Sequence, residues 1–136
     1  SNNHSTQYHY EASTDRLTGV SATASGQTRD VSYTYDEGDR IKSIKHGGTT
    51  YAFEYDGFGN QTMVKAGDKT LESYRYAPNN GPLITVAYGN GDTQENLYDK
   101  EERIRARRWK GESTDAVRYE YDDYGTLEKE TDLVNG

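Results

Sequence analysis

The sequence has 136 residues and 15.4 kDa, with 16 Lys and Arg against 23 Asp and Glu, for a formal net charge of −7 and a pI near 4.9. That length holds one ordinary domain rather than two, and an acidic balance argues against a general nucleic-acid binder, which needs a basic footprint. Only 31% of the residues are apolar even with Tyr counted, which excludes a thick aliphatic core, yet 13 Tyr argue against disorder, since disordered chains are poor in aromatics.

Along the chain, residues 1–7 read as a polar tail without the charged start or apolar stretch of a signal peptide. Residues 8–136 read as one array of about six repeats with no separate second domain. The first repeat is Tyr8-His9-Tyr10-Glu11, leading through Asp15-Arg16 to Leu17-Thr18-Gly19-Val20. The second, Tyr33-Thr34-Tyr35-Asp36-Glu37-Gly38-Asp39-Arg40-Ile41-Lys42-Ser43-Ile44, is the clearest. Phe53-Glu54-Tyr55-Asp56-Gly57-Phe58-Gly59-Asn60 follows and runs on to Met63-Val64. The fourth, Tyr74-Arg75-Tyr76, is the most divergent, with Ala77-Pro78 in place of the acid. Tyr98-Asp99 and Tyr119-Glu120-Tyr121-Asp122-Asp123-Tyr124-Gly125 mark the last two. The second aromatics fall at 10, 35, 55, 76, 98 and 121, so the spacing is 20–25 residues. The richness in Tyr is a property of the repeat.

Residues i and i+2 of a strand project from one face, so Tyr33 and Tyr35 form a stripe that Val31 extends. Tyr51, Phe53 and Tyr55 form another, as do Val117, Tyr119 and Tyr121. Asp36 is placed to accept hydrogen bonds from N–H groups two residues on, and Gly38 or Gly59 to take φ > 0. The outgoing strands are short and end at Ile44, Val64 or Val86. Gly47-Gly48, Gly67-Asp68 and Gly89-Asn90-Gly91-Asp92 are hairpin-type turns between repeats. Two strands per repeat give an all-β chain of antiparallel hairpins.

The pattern Tyr-x-Tyr-Asp-x-x-Gly-Arg/Asn-Leu/Ile-x-x-Ile/Val resembles the YD repeat of the Rhs family, which includes Rhs proteins, bacterial wall-associated toxins, the C component of insecticidal toxin complexes and teneurins. Ala87-Tyr88-Gly89-Asn90-Gly91-Asp92-Thr93, leading into Leu97-Tyr98-Asp99, is similar to that family's connection between repeats. The resemblance covers roughly residues 8–134. It implies a curved sheet or ribbon that is a fragment of a spiral β-shell, excised from a longer array. It also implies a secreted or surface-exposed bacterial protein, repeats without catalytic residues or cofactors, and as partners the rest of the array and an enclosed C-terminal toxin. Uncapped strand edges lead us to expect self-association.

Several constellations invite sharper readings. Asp36, Asp56, Asp99 and Asp122, with Gly38, Gly59 and Gly125, recur in phase. Paired catalytic carboxylates need a cleft and unlike environments, whereas one acid per hairpin fits turn capping, the reading we favour. His4 and His9, with His46 far away, make a poor zinc set, and Asp36-Glu37-Gly38-Asp39 offers too few ligands for calcium. No metal is expected, and no Cys is present. Arg103, Arg105, Arg107 and Trp109 would share one strand face beside Arg108 and Lys110. A nucleic-acid stripe is the sharper reading, and pairing with Glu101, Glu102, Glu112 or acids of a neighbouring strand is the one we favour. No apolar run is long enough for membrane insertion as a helix. The sequons Asn3-His4-Ser5 and Asn60-Gln61-Thr62 carry little meaning in a bacterial protein. The ligand-surface alternative rests on the rows Tyr33, Tyr35, Tyr51, Phe53, Tyr55, Tyr74, Tyr76, Tyr119 and Tyr121, whose rings could stack on sugars or hold a protein partner.

Overall fold

Alternation of ring and polar side chain makes each Tyr-x-Tyr segment a strand, and the acid that follows turns the chain back. The computed structural model describes residues 3–134. Every regular element among them is a β-strand, and neighbouring strands run antiparallel. The fold is the all-β hairpin meander that the sequence leads us to expect.

The chain divides into two compact units, Ser1–Thr70 and Leu71–Gly136. The first holds β1 (His4–Tyr10), β2 (Leu17–Ala24), β3 (Gln27–Tyr35), β4 (Ile41–His46), β5 (Thr49–Tyr55) and β6 (Gln61–Ala66), each hydrogen-bonded to the next. The boundary falls inside β7 (Lys69–Tyr76). The second unit continues with β8 (Leu83–Tyr88), β9 (Thr93–Tyr98), β10 (Ile104–Trp109), β11 (Val117–Tyr121) and β12 (Leu127–Asp132), again paired in chain order.

Three details depart from the sequence reading. Residues 4–7, expected in a polar tail, are strand residues: Ser5 pairs with Thr23 and Gln7 with Ser21. Backbone pairing extends the hairpin there without apolar side chains. The outgoing strands run past Ile44, Val64 and Val86 to His46, Ala66 and Tyr88. Ser25-Gly26 supplies a further tight turn between β2 and β3, with φ of 52° and 77°, the doubly left-handed geometry that suits a two-residue hairpin.

One irregularity recurs in the hairpin within each repeat. Thr34 pairs with Ser43 and Tyr35 with Ile41, which leaves Lys42 unmatched. By the same register shift Thr18, Thr62, Ile84, Arg105 and Glu128 are the extra residues of their hairpins. Each is the second residue of an outgoing strand. A bulge there bends the strand and increases its twist. It also brings residues three apart onto one face, so Ile41 and Ile44 both join the side of Tyr33 and Tyr35.

The core is thin. Among the described residues the buried apolar side chains are Val86 and Ala106. The tyrosine face is mostly half-buried, whereas the other face carries polar cross-strand pairs: Thr34 with Ser43 at 2.6 Å, Thr23 with Thr28 at 2.9 Å and Lys65 with Glu54 at 2.6 Å. Such pairs contribute about 0.2–1 kcal/mol each.

Candidate functional site

The repeated turn and the tyrosine that receives it are where the sequence pattern concentrates. In the second repeat one Asp36 oxygen accepts from the N–H groups of Gly38 (2.8 Å) and Arg40 (3.0 Å), and the other accepts from Arg40 Nε at 2.8 Å. The backbone closes the loop with Asp36 N–H donating to the Arg40 carbonyl and Asp39 N–H to that of Asp36. Asp99 repeats the set with Glu101 N–H, Arg103 N–H and Arg103 Nε. Asp56 accepts from Phe58 N–H, Asn60 N–H and Asn60 Nδ2. Asp122 accepts from Tyr124 N–H and Thr126 N–H. The first turn is one residue longer and uses the longer acid: Glu11 accepts from Arg16 Nη2 at 2.7 Å and Nε at 3.0 Å.

The left-handed residue of these turns is Asp39 (φ 61°), Gly59 (89°), Glu102 (59°) or Gly125 (82°). Gly38 does not adopt a positive φ, contrary to the expectation for it, because the reversal comes three residues after the acid rather than two.

Partial burial pushes the Asp36 and Asp99 carboxyls up, but the turn N–H groups and the arginine outweigh it and hold both below the ordinary aspartate range. Asp56 is lowered by the same balance, with Asn60 in the arginine's place. These carboxylates are ionised acceptors with their lone pairs engaged.

Beyond their own turns, four repeats reach their predecessors through the second tyrosine. Tyr35 OH donates to the Leu17 carbonyl at 2.7 Å, and Tyr55 OH to that of Ile41 at 2.7 Å. In the second unit, Tyr98 OH donates to the Leu83 carbonyl at 2.6 Å and Tyr121 OH to that of Ile104 at 2.6 Å. The acceptor is each time the first residue of the preceding outgoing strand. The arginine just before that residue lies over the same tyrosine ring: Arg16 over Tyr35 at 5.0 Å, Arg40 over Tyr55 at 4.8 Å and Arg103 over Tyr121 at 4.6 Å. Hydroxyl and ring thus latch one hairpin to the next. The sequence motif contains these residues, but nothing in it shows that the Arg of one copy serves the Tyr of the following copy.

The remaining ring-row positions, Tyr33, Tyr51, Phe53, Tyr74, Tyr76 and Tyr119, are half-buried on their strands. Tyr74 OH donates to Glu72, and burial followed by this carboxylate pushes the phenol up to about 12. The expected basic face of Arg103, Arg105, Arg107 and Trp109 does not form. Arg103 lies in the turn, paired with Asp99 and Glu101, and the bulge at Arg105 breaks the alternation. Arg107 covers the Tyr119 ring at 5.7 Å, and Trp109 meets Tyr88 at 6.0 Å between ring centres. Arg108 turns the other way, where it and Arg118 bind the two oxygens of Asp115, whose side chain is 7% exposed. This triad lines an open groove of about 1060 Å³ with Trp109, Lys110 and Leu133. His9 Nε2 lies 3.2 Å from Ser21 Oγ, and among the described residues no three His, Cys, Asp or Glu gather as a metal site.

No protein-family model and no curated protein matches the sequence. Solved structures do match by fold. The crystal structure of TcdB2-TccC3-TEV aligns with a TM-score of 0.74 and 16% identity over 94% of this chain. The structure of the Photorhabdus luminescens Tc holotoxin pore aligns with a TM-score of 0.74 and 14% identity over 97%. A TcdB2-TccC3 structure without its hypervariable C-terminal region gives 0.73 and 16% over 94%. This chain spans 8% of the length of each matched chain. What is shared is the all-β repeat fold.

Proposed function

We propose that this chain is a non-enzymatic wall segment of a secreted or surface-exposed bacterial YD-repeat protein, part of a β-shell that encloses or presents a toxin or effector. The observation that carries this reading is the latch. In both units the signature Tyr and Arg side chains join hairpin to hairpin, and the signature Asp closes its own turn. The Asp36, Asp56 and Asp99 carboxyls are held low, the opposite direction to that required of a general acid. The fold likeness to Tc toxin structures supports the same reading, as does the motif resemblance. The partners are then the adjoining repeats and an enclosed C-terminal domain.

A wall segment should be exchangeable for a wall segment. Residues 4–134, substituted for the stretch they superpose on in TcdB2-TccC3, should yield a protein that stays folded and resists added protease as the parent does. A chimera that unfolds would overturn this reading, and saturable calorimetric binding of a glycan to this chain, lost when the rings of one Tyr row or Trp109 are changed to Ala, would replace it with the ligand-surface alternative. The Trp109–Tyr88 pair is the feature that favours that alternative, since Trp109 is exposed and paired rings stack on sugar faces.

A further inference from the structure

We infer that an acidic extended peptide docks as an added strand on a step inside the sheet of the first unit, along residues 27–30 of β3. There β3 pairs with β2 from Ser32, opposite Gly19, out to Gln27, opposite Ala24. With β4 it pairs only as far out as Val31, opposite His46. β4 turns back at once through Gly47-Gly48, with φ of 57° and 82°. The β2–β3 hairpin therefore projects past its neighbour by four residues, about 13 Å. The step lies between strands of one unit, and the strand that could cover it has already turned away. A repeat paired with β1 or β12 leaves it open.

Ala24 and Gln27 flank the two-residue turn at Ser25-Gly26 and so exchange hydrogen bonds. By alternation Arg29 also directs its backbone groups at β2, whereas the N–H and carbonyl groups of Thr28 and Asp30 point to the open side. Both residues are exposed, and they line a groove of about 590 Å³ together with Gly47 and Gly48. Those four main-chain groups are what an added strand needs. The side chains select its charge. Arg29, Lys45 and His46 line the groove against a single acid, Asp30, and Arg29 and Lys45 form no ion pair among the described residues. An antiparallel strand in the step continues the line of β4. Its residue opposite Arg29 stands two positions beyond His46, hence on the face that carries both cations. A carboxylate there supplies the partner that Arg29 lacks. In a chain of net charge −7 this set of cations is local, since β12 carries Glu128, Glu130 and Asp132 against one Lys129.

The probe is a short labelled peptide of alternating Thr and Glu, capped at both ends and followed by fluorescence anisotropy against the whole chain. It should bind saturably, and the same peptide with Lys for Glu should not. With Glu opposite Arg29, the Thr amides face Thr28 and Asp30, so N-methylation at the Thr positions should abolish binding without changing the charge. In the chain, T28P removes one open donor on the side away from β2, a place where an edge strand accepts proline, and should weaken binding about fivefold. R29E reverses the unpaired cation and should weaken it about tenfold. Arg29 is exposed, so R29E keeps the fold and decides the matter even where T28P loosens the hairpin tip. Equal binding of the Lys peptide, undiminished binding of the N-methylated one, an unchanged affinity in R29E, or no saturable binding at all would overturn the inference. The chimera tests the wall reading separately, because it is read without any peptide.

Discussion

Three residues after each of four turn acids the backbone enters the left-handed region, at Asp39, Gly59, Glu102 and Gly125. A residue with a Cβ is strained there, whereas glycine is not. Glu102 meets that strain with a φ of 59°. E102G should therefore raise stability by about 0.5–1 kcal/mol, the relief of strain outweighing the freedom that glycine adds to the unfolded chain. Urea unfolding is the measurement, and an unchanged or lowered midpoint would count against it. At Gly59 and Gly125 the sequence shows this geometry directly. At Asp39 and Glu102 it does not, because the nearby Gly38 draws attention to the wrong position and an acid conceals a left-handed residue.

Strands and hairpins were legible because rings two apart with polar residues between them leave little choice but a strand. The bulges were legible in principle. Ile41 with Ile44, Leu17 with Val20 and Leu83 with Val86 stand three apart, a spacing that a regular strand cannot place on one face. The extra residue at Lys42, Thr18 or Ile84 reconciles them. The latch was not legible, since it joins residues 14–18 apart whose partnership depends on the register between hairpins. It is testable at single atoms. Y55F deletes the hydroxyl that meets the Ile41 carbonyl at 2.7 Å and should cost about 1 kcal/mol. Y121F should cost the same, since its geometry is the same, and Y98F should cost less, because Asn96 Nδ2 also donates to the Leu83 carbonyl at 3.1 Å. By contrast, Y124F should cost nothing measurable, because Tyr124 is 95% exposed at a turn tip. If Y124F proved as harmful as Y55F, a general loss of tyrosine and not the latch would be responsible.

With Val86 and Ala106 as the buried apolar side chains among the described residues, the molecule depends on many small polar devices distributed along it, and those devices titrate. Asp36, Asp56 and Asp99 are held below the ordinary aspartate range, after burial has pushed them up, by turn N–H groups together with Arg40, Asn60 and Arg103. Asp115 is lowered by Arg108 and Arg118. A lowered folded pKa means that the unfolded chain takes up protons first. The contribution of these carboxylates is therefore complete above the unfolded value, near pH 4, and is lost as pH falls through the folded values. Urea midpoints should be level from about pH 7 to 5 and decline below about pH 4. The double variant D36N/D99N should start lower at neutral pH, having lost two ion pairs, and decline less steeply in acid. A wild-type midpoint that holds steady to about pH 2, or a variant with the same acid slope, would show that the turn carboxylates do not govern stability. A protein with a thick apolar core would tolerate such losses, whereas here the same turns recur along the sheet and weaken together.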